Sequence, residues 1–302
     1  MTDSRRGLLL GVAAYALWGA FPLYWPLLEP AGSLEILGHR IFWSLIVMGL
    51  LVGALGRWPV VRGLVADRRV LRLLTLAACL VTVNWATYIW GVTNGHVVET
   101  ALGYFVNPLV TVLMGVFILG ERLRPGQWAA MAVAGLAVVV LSIDYGRLPW
   151  VALVLAFSFG SYGLCKKQAN APAVESLTLE TMVIGPLALA YLAWLSWHGG
   201  SNFVDHGVGH ALLFMTTGIV TAVPLVCFGG AAIRVPMVTL GLLQYLAPII
   251  QFVLGLLYFH EDMPTGRWIG FGLVWFALVV FTVESLRHRR ITLRLAAEAC
   301  AY

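Results

Sequence analysis

The chain has 302 residues, of which 60% are hydrophobic and only 11% charged, with a formal net charge of +5 at pH 7. A water-soluble globule of this size needs a charged surface that this composition does not supply, so a soluble domain is excluded and a membrane protein is indicated. The four cysteines, Cys79, Cys165, Cys227 and Cys300, are scattered, with neither disulfide nor zinc spacing.

A bilayer-crossing helix needs about 20 predominantly apolar residues. Ten runs meet that length, at approximately 7–28, 34–56, 73–92, 97–119, 126–143, 148–166, 176–197, 210–230, 236–258 and 265–285. Arg5-Arg6 before the first run imitates a signal peptide, but the run is longer than a typical signal core and reads as a retained helix. With the N-terminus in the cytoplasm, sixteen of the nineteen Lys and Arg fall on the cytoplasmic side; Arg147 and Arg267 fall outside and Arg40 within a span. That asymmetry predicts cytoplasmic N- and C-termini. The positive charge then reports topology and requires no nucleic-acid partner.

In helix 1, Tyr15, Trp18, Pro22 and Trp25 share a face; Trp18 is expected in an internal cavity and Trp25 in an interfacial aromatic belt. Helix 2 carries Glu35, His39 and Arg40. The segment from Arg57 to Arg72 reads as a basic cytoplasmic loop. Helix 3 places Asn84, Tyr88 and Gly91 on one face, and helix 4 does the same with Thr100, Tyr104, Asn107 and Thr111.

The helix-4 pattern returns 140 residues later: Val98, Leu102, Pro108, Gly115, Glu121, Gly126 and Trp128 recur as Val238, Leu242, Pro248, Gly255, Glu261, Gly266 and Trp268. Tyr104 and Thr111 map onto Gln244 and Gln251, beside Tyr245, and Asn84 maps onto Pro224, which follows Thr217 and Thr221 in helix 8. Five spans per half is an odd number, so the second half is predicted to lie inverted in the bilayer. The expected organisation is an all-α integral membrane fold: a first repeat at 1–143, a second, inverted one at 148–286, and a basic cytoplasmic tail at 287–302 that forms a short amphipathic surface helix.

Charges within spans cost at least a few kcal/mol and mark cavities, ion pairs or coupling sites. Arg40 with Glu99 at the outer mouth and Arg234 with Glu180 at the inner one are expected to pair as alternating gates, with His39, Glu99 and Glu180 as proton-coupling candidates. The alternative is that Glu99 and Glu180 cap helix N-termini. Pro108, Pro224 and Pro248 are expected to kink their helices and free backbone carbonyls. The predicted substrate site comprises Trp18, Asn84, Tyr88, Tyr104, Asn107, Thr111, Thr221, Gln244, Tyr245 and Gln251. Glu121 and Glu261 are read as caps of the helices that follow them. His198, Asp205, His206 and His210 are a weak metal signal, so no metal and no cofactor are expected. No nucleophile elbow, P-loop, dinucleotide fingerprint or HExxH motif is present.

The chain also resembles a known family. The residues that carry the resemblance are Tyr15-Ala-Leu-Trp-Gly-Ala-Phe-Pro22, Gly38-His-Arg40 with Trp43-Ser44, Asn84-Trp85, Tyr88-Ile-Trp90 and Glu99-Thr-Ala-Leu-Gly-Tyr-Phe-Val-Asn-Pro108. They continue through Ser158-Phe-Gly-Ser-Tyr-Gly163, Glu180-Thr181, Thr221-Ala-Val-Pro224, Gln244-Tyr245 and Pro248. These resemble the EamA branch of the drug/metabolite transporter superfamily, and within it the RarD family. Gly38, where that family more often has Ala, and Thr100 depart mildly. The resemblance implies an inner-membrane permease of the chloramphenicol-sensitive or chloramphenicol-resistance type, with relatives that export amino acids, other metabolites and drugs, some by proton exchange, and no catalytic residue. The expected partners are therefore a small-molecule substrate, the lipid bilayer and protons. The expected function is export of a small organic molecule by alternating access; the alternatives are import of an amino acid or similar metabolite, and a membrane-embedded enzyme.

Overall fold

In a computed structural model the described residues are 3–119, 123–232, 234–235 and 243–299, with side chains for all of these except Asp3, Gly115, Leu119, Ala232 and 288–299. They are helical throughout, joined by short turns: α1 Asp3–Gly19, α2 Phe21–Tyr24, a 3-10 turn Trp25–Leu28, α3 Ser33–Ala54, α4 Trp58–Ala66, α5 Arg68–Thr93 and α6 Val97–Leu119. There follow α7 Pro125–Tyr145, α8 Trp150–Ala169, α9 Ala173–Trp197, α10 Val208–Ala232, α11 Leu246–Leu257 and α12 Thr265–Ala299.

Local chemistry sets the boundaries. Asp67 caps α5, its carboxylate accepting from the N–H groups of Arg69 at 2.8 Å and Val70 at 3.1 Å. Pro125 opens α7, and Gly146 ends it in the left-handed conformation, at φ 64°. Asn170 closes α8 in the same way.

Among the described residues, seven helices are long and apolar enough to cross a bilayer, or eight if α1 and the segment through Leu28 count as one bent span. Two of the ten expected runs fall outside that count: Lys166 and Lys167 in the last turn of α8 lower its hydropathy, and α11 is described over 12 residues, positions 236–242 of its expected run lying outside the described residues. The first run is broken at Ala20 and bends by 46°, with Pro22 starting a new helical turn. Arg57 to Arg72 is no loop: Trp58–Ala66 is helical, and α5 begins at Arg68. The tail does not form a separate helix, because α12 runs unbroken through 35 residues to Ala299.

Pro108 and Pro224 lie inside α6 and α10 as expected, and Pro186 inside α9. Pro248 is in the first turn of α11, where the missing N–H would have no intrahelical partner anyway, so it kinks nothing within that helix.

The helices pack in a recurring scheme. α3 lies against α9 and α10, α5 against α8 and α9, α6 against α8 and α11, α1 against α10 and α11, and α7 against α12. α7 and α12 run antiparallel: a Cβ at Gly126, opening α7, would meet Glu284 late in α12, and one at Gly266, opening α12, would meet Asp144 late in α7. Salt bridges close the same two ends, Arg124 to Glu284 at 2.8 Å and Arg267 to Asp144 at 3.1 Å.

One apolar core joins Leu102, Phe105, Leu109, Leu141, Phe252 and Phe271; another joins Phe21, Trp25, Ile36, Ile89, Leu155 and Phe214. Bulky side chains such as Phe117, Ile143 and Leu187 stand exposed on the helices that cross, as lipid-facing residues do.

Candidate functional site: a buried guanidinium among aromatic rings

Arg40 sits seven residues into α3, roughly 10 Å below its start at the helical rise per residue, and is buried. Its guanidinium carbon lies 4.0 Å from the ring centroid of Trp85, 4.9 Å from Trp25 and 5.6 Å from Phe21. Nε donates to Thr221 Oγ1 at 3.2 Å. The phenols of Tyr24, Tyr88 and Tyr104 are close enough to feel its charge. No carboxylate among the described residues pairs with it. Ring faces attract the cation and exclude water from it.

A polar network borders this cluster. Asn84 donates from Nδ2 to the Leu155 carbonyl at 3.1 Å and Ser158 Oγ at 3.0 Å, and its Oδ1 accepts from Tyr104 OH at 3.2 Å. The rings of Tyr88 and Tyr104 meet edge to face at 5.7 Å. Gln251 is buried and donates to the Trp18 carbonyl at 3.2 Å, while Trp18 itself packs on Tyr15 and Phe228. Asn84, Tyr88 and Tyr104 are thus brought together near Arg40 and Thr221.

Trp85 also lines a small crevice of about 10 Å³ with Ile41, Ala78, Val81, Thr82, Leu177, Glu180, Thr181 and Ile184. Glu180 is buried there and accepts from Lys166 Nζ at 2.6 Å and from Tyr162 OH at 3.1 Å. Trp85 thus touches Arg40 and also lines the crevice beside Glu180.

The expected gate pairs do not form. Glu99 is held by Arg147, at 2.8 and 3.3 Å, and accepts the Val151 N–H at 3.1 Å, which caps α8. Arg40 faces aromatic rings instead. Glu180 binds Lys166 rather than Arg234, whose Nη1 donates to the Gly230 carbonyl at 2.8 Å. Nearness along the repeat misled the pairing for Glu99, because Arg147, in the turn before α8, reaches that buried carboxylate with less desolvation than Arg40, locked inside the bundle, would need.

Trp25 is no interfacial belt residue: it is fully buried beneath Arg40. Glu261 does not cap the helix after it. Its carboxylate accepts the N–H groups of Val97 and Val98, and so caps α6 in the other half of the chain. Burial pushes this loop carboxyl up to about 7, opposed by those two N–H groups and by Arg267. Outside the spans too, the hydrogen bond to Glu99 raises the Arg147 guanidinium. Glu121 lies outside the described residues.

The remaining predicted residues are more dispersed. His39 is buried in an apolar box, stacked on Phe203 at 4.7 Å and tilted against Phe214 at 4.5 Å. Asn107 is half-buried, and Thr111 is exposed with its hydroxyl turned to the Asn107 carbonyl at 3.0 Å. Gln244 and Tyr245 are half-buried just before α11. The histidines of the outer segment engage carbonyls: His198 that of Trp194, and His210 those of Asn202 and Leu28.

Sequence reasoning missed Phe21, Trp85, Tyr162, Lys166 and Arg147 as parts of these constellations. Phe21 four residues before Trp25 and Trp85 beside Asn84 were visible signals. Lys166 and Arg147 were not, since Lys166 closes the expected run 148–166, Arg147 sits in the short junction before it, and neither position signals its partner.

The profile of the EamA-like transporter family matches residues 5–143 and again 148–283. RarD of Streptomyces exfoliatus is 57% identical over 298 residues, covering 98% of this chain and 95% of the relative. The uncharacterized transporter YojE of Bacillus subtilis is 40% identical over 292 residues, covering 95% and 97% respectively. The chloramphenicol-sensitive protein RarD of Pseudomonas aeruginosa is 32% identical over 295 residues, covering 96% and 98%. A crystal structure shares the fold at 19% identity, with a TM-score of 0.58 over 92% of this chain and 97% of that one. The chain belongs to the EamA-like transporter family, in its RarD branch, and is a multi-pass membrane transporter of the drug/metabolite type.

Proposed function

We propose that this transporter exports a small organic metabolite or drug across the inner membrane by alternating access, with both termini in the cytoplasm. The observation that carries the reading is the buried polar set Arg40, Asn84, Tyr88 and Thr221, with half-buried Tyr104 beside it, inside an apolar bundle. A merely structural membrane protein gains nothing from desolvating those groups. Trp18, Gln251 and, nearer the ends, Asn107, Thr111, Gln244 and Tyr245 complete the proposed solute path.

We read the architecture as ten spans in an inverted five-plus-five repeat. Support comes from packing that maps onto itself when each helix is exchanged for its counterpart: α5 on α8 with α10 on α1, α6 on α8 with α11 on α1, and α3 on α10 with α9 on α5. The antiparallel α7 and α12, joined at Gly126 and Gly266, fit the same exchange.

Glu99 with Arg147 and Glu180 with Lys166 are the proposed latches at the outer and inner ends, and Glu180, beside the crevice, is the proposed proton-coupling group. Counterflow by the purified protein in proteoliposomes, screened with amino acids, aromatic metabolites and chloramphenicol with and without a pH gradient, tests the proposal. Exchange of at least one solute, faster under the gradient, is expected; no exchange of any solute would refute it. Topology reporters on the two termini test the orientation.

A further inference from the structure

We propose that the Arg40 cluster forms an anion subsite that anchors the carboxylate of the transported solute, whose aromatic or apolar body lies against Trp85 and the tyrosines. This rests on the transporter reading and names its substrate class. Three buried polar atoms around the guanidinium have no hydrogen-bond partner among the described residues: Arg40 Nη1, Trp25 Nε1 and Tyr88 OH. The first two can only donate, and the third can donate. What completes them is therefore an acceptor.

The neighbouring phenols show that this is selective. Tyr24 OH bonds the Leu213 carbonyl and Thr216, and Tyr104 OH bonds Asn84, leaving Tyr88 alone with a free hydroxyl. Among the described residues, Arg40 is attached to protein through Nε to Thr221 and through ring faces. A cation in this setting is poorly compensated, and a carboxylate supplies both the missing charge and the missing lone pairs. A water molecule could satisfy one donor but would leave the charge uncompensated. The buried carboxylates among the described residues of the spans are already engaged: Glu35 by Ser201 and Asn202, Glu99 by Arg147, Glu175 by Arg57 and Glu180 by Lys166.

Equilibrium binding to the purified protein in lipid nanodiscs, with empty discs as control, compares L-phenylalanine with L-phenylalaninamide and phenylacetate with phenylacetamide. The acids are expected to bind at least about 30-fold tighter than the amides, the range of a charge-assisted bond in a dry site. Arg40→Gln should reduce that preference below about 3-fold, and Arg40→Lys should keep part of it. Tyr88→Phe, which removes one hydroxyl and leaves the ring, should weaken the acids by about 5- to 10-fold and leave the amides unchanged. Equal binding of acid and amide, an unchanged preference in Arg40→Gln, or no acid binding at 10 mM (a ceiling set at roughly the weakest useful affinity) each overturns the anchor. Counterflow of the bound acid runs in parallel: an acid that binds without being exchanged leaves the anchor standing and removes the transporter reading.

Discussion

Glu99, fully buried near the start of α6, is bound by Arg147 from the turn between α7 and α8, with Nη2 to Oε2 at 2.8 Å. The pair ties the fourth run of the chain to the junction between its halves. Removing Arg147 leaves a buried carboxylate with one backbone donor. The usual cost for such a loss is about 3–5 kcal/mol, discounted to about 2 kcal/mol because Arg147 is 36% exposed. Arg147→Gln should lower the melting temperature in detergent, and the exchange Glu99→Arg with Arg147→Glu should recover part of the loss. An exchange between Glu99 and Arg40 should recover nothing, since they are not partners.

Glu261 predicts a pH dependence of stability. Its carboxyl is raised by burial from an ordinary 4.5 to about 7, so the folded chain holds this proton more tightly than the unfolded one. The associated stability is present below about pH 4.5 and is lost as pH rises through about 7. Thermal unfolding between pH 4.5 and 8 should fall with pH in the native protein, and Glu261→Gln should flatten that slope. An identical slope in the variant would show that another group is responsible.

The α7 and α12 contact predicts paired steric sensitivity. Gly126 and Gly266 each give room to an acidic side chain of the other helix. Val at either position should cost about 1–3 kcal/mol by overpacking and disturb the adjoining salt bridge, read as a lower melting temperature. Gly135, which has open space on the same α7, should accept Val with little change. Equal effects at Gly126 and Gly135 would contradict the contact.

The bond between Asn84 and α8 predicts a loss without a change of charge. Asn84→Leu leaves the Tyr104 phenol without its partner, at about 1–3 kcal/mol for a buried group left unsatisfied, while Ser158 keeps its bond to the Leu155 carbonyl. Exchange of any transported solute should fall more than the amount of folded protein does. Proportional losses in the two measurements would make Asn84 a purely structural residue.

Much of the architecture was legible because the bilayer imposes length and hydropathy on every crossing segment and leaves the backbone no alternative to helix. Runs of apolar residues located the long helices to within a few positions, and spacing by three and four put Asn84 with Tyr88 and Tyr104 with Asn107. The bend after Gly19, the helix Trp58–Ala66 and the unbroken passage of α12 through Arg287 escaped that reading, since hydropathy averages over a break and does not register where polar residues continue a helix.

The sequence by itself determined the class of molecule, the helical content and which few polar groups had to be hidden. Only the tertiary structure decided their partners: Arg147 for Glu99, Lys166 for Glu180, the N-terminus of α6 for Glu261, and three aromatic rings for Arg40. The reason is that hydropathy and helical periodicity are local, one-dimensional quantities. Which charge meets which depends on distances across packed helices far apart in the chain, and at these depths a difference of a few ångströms decides whether a charge is compensated.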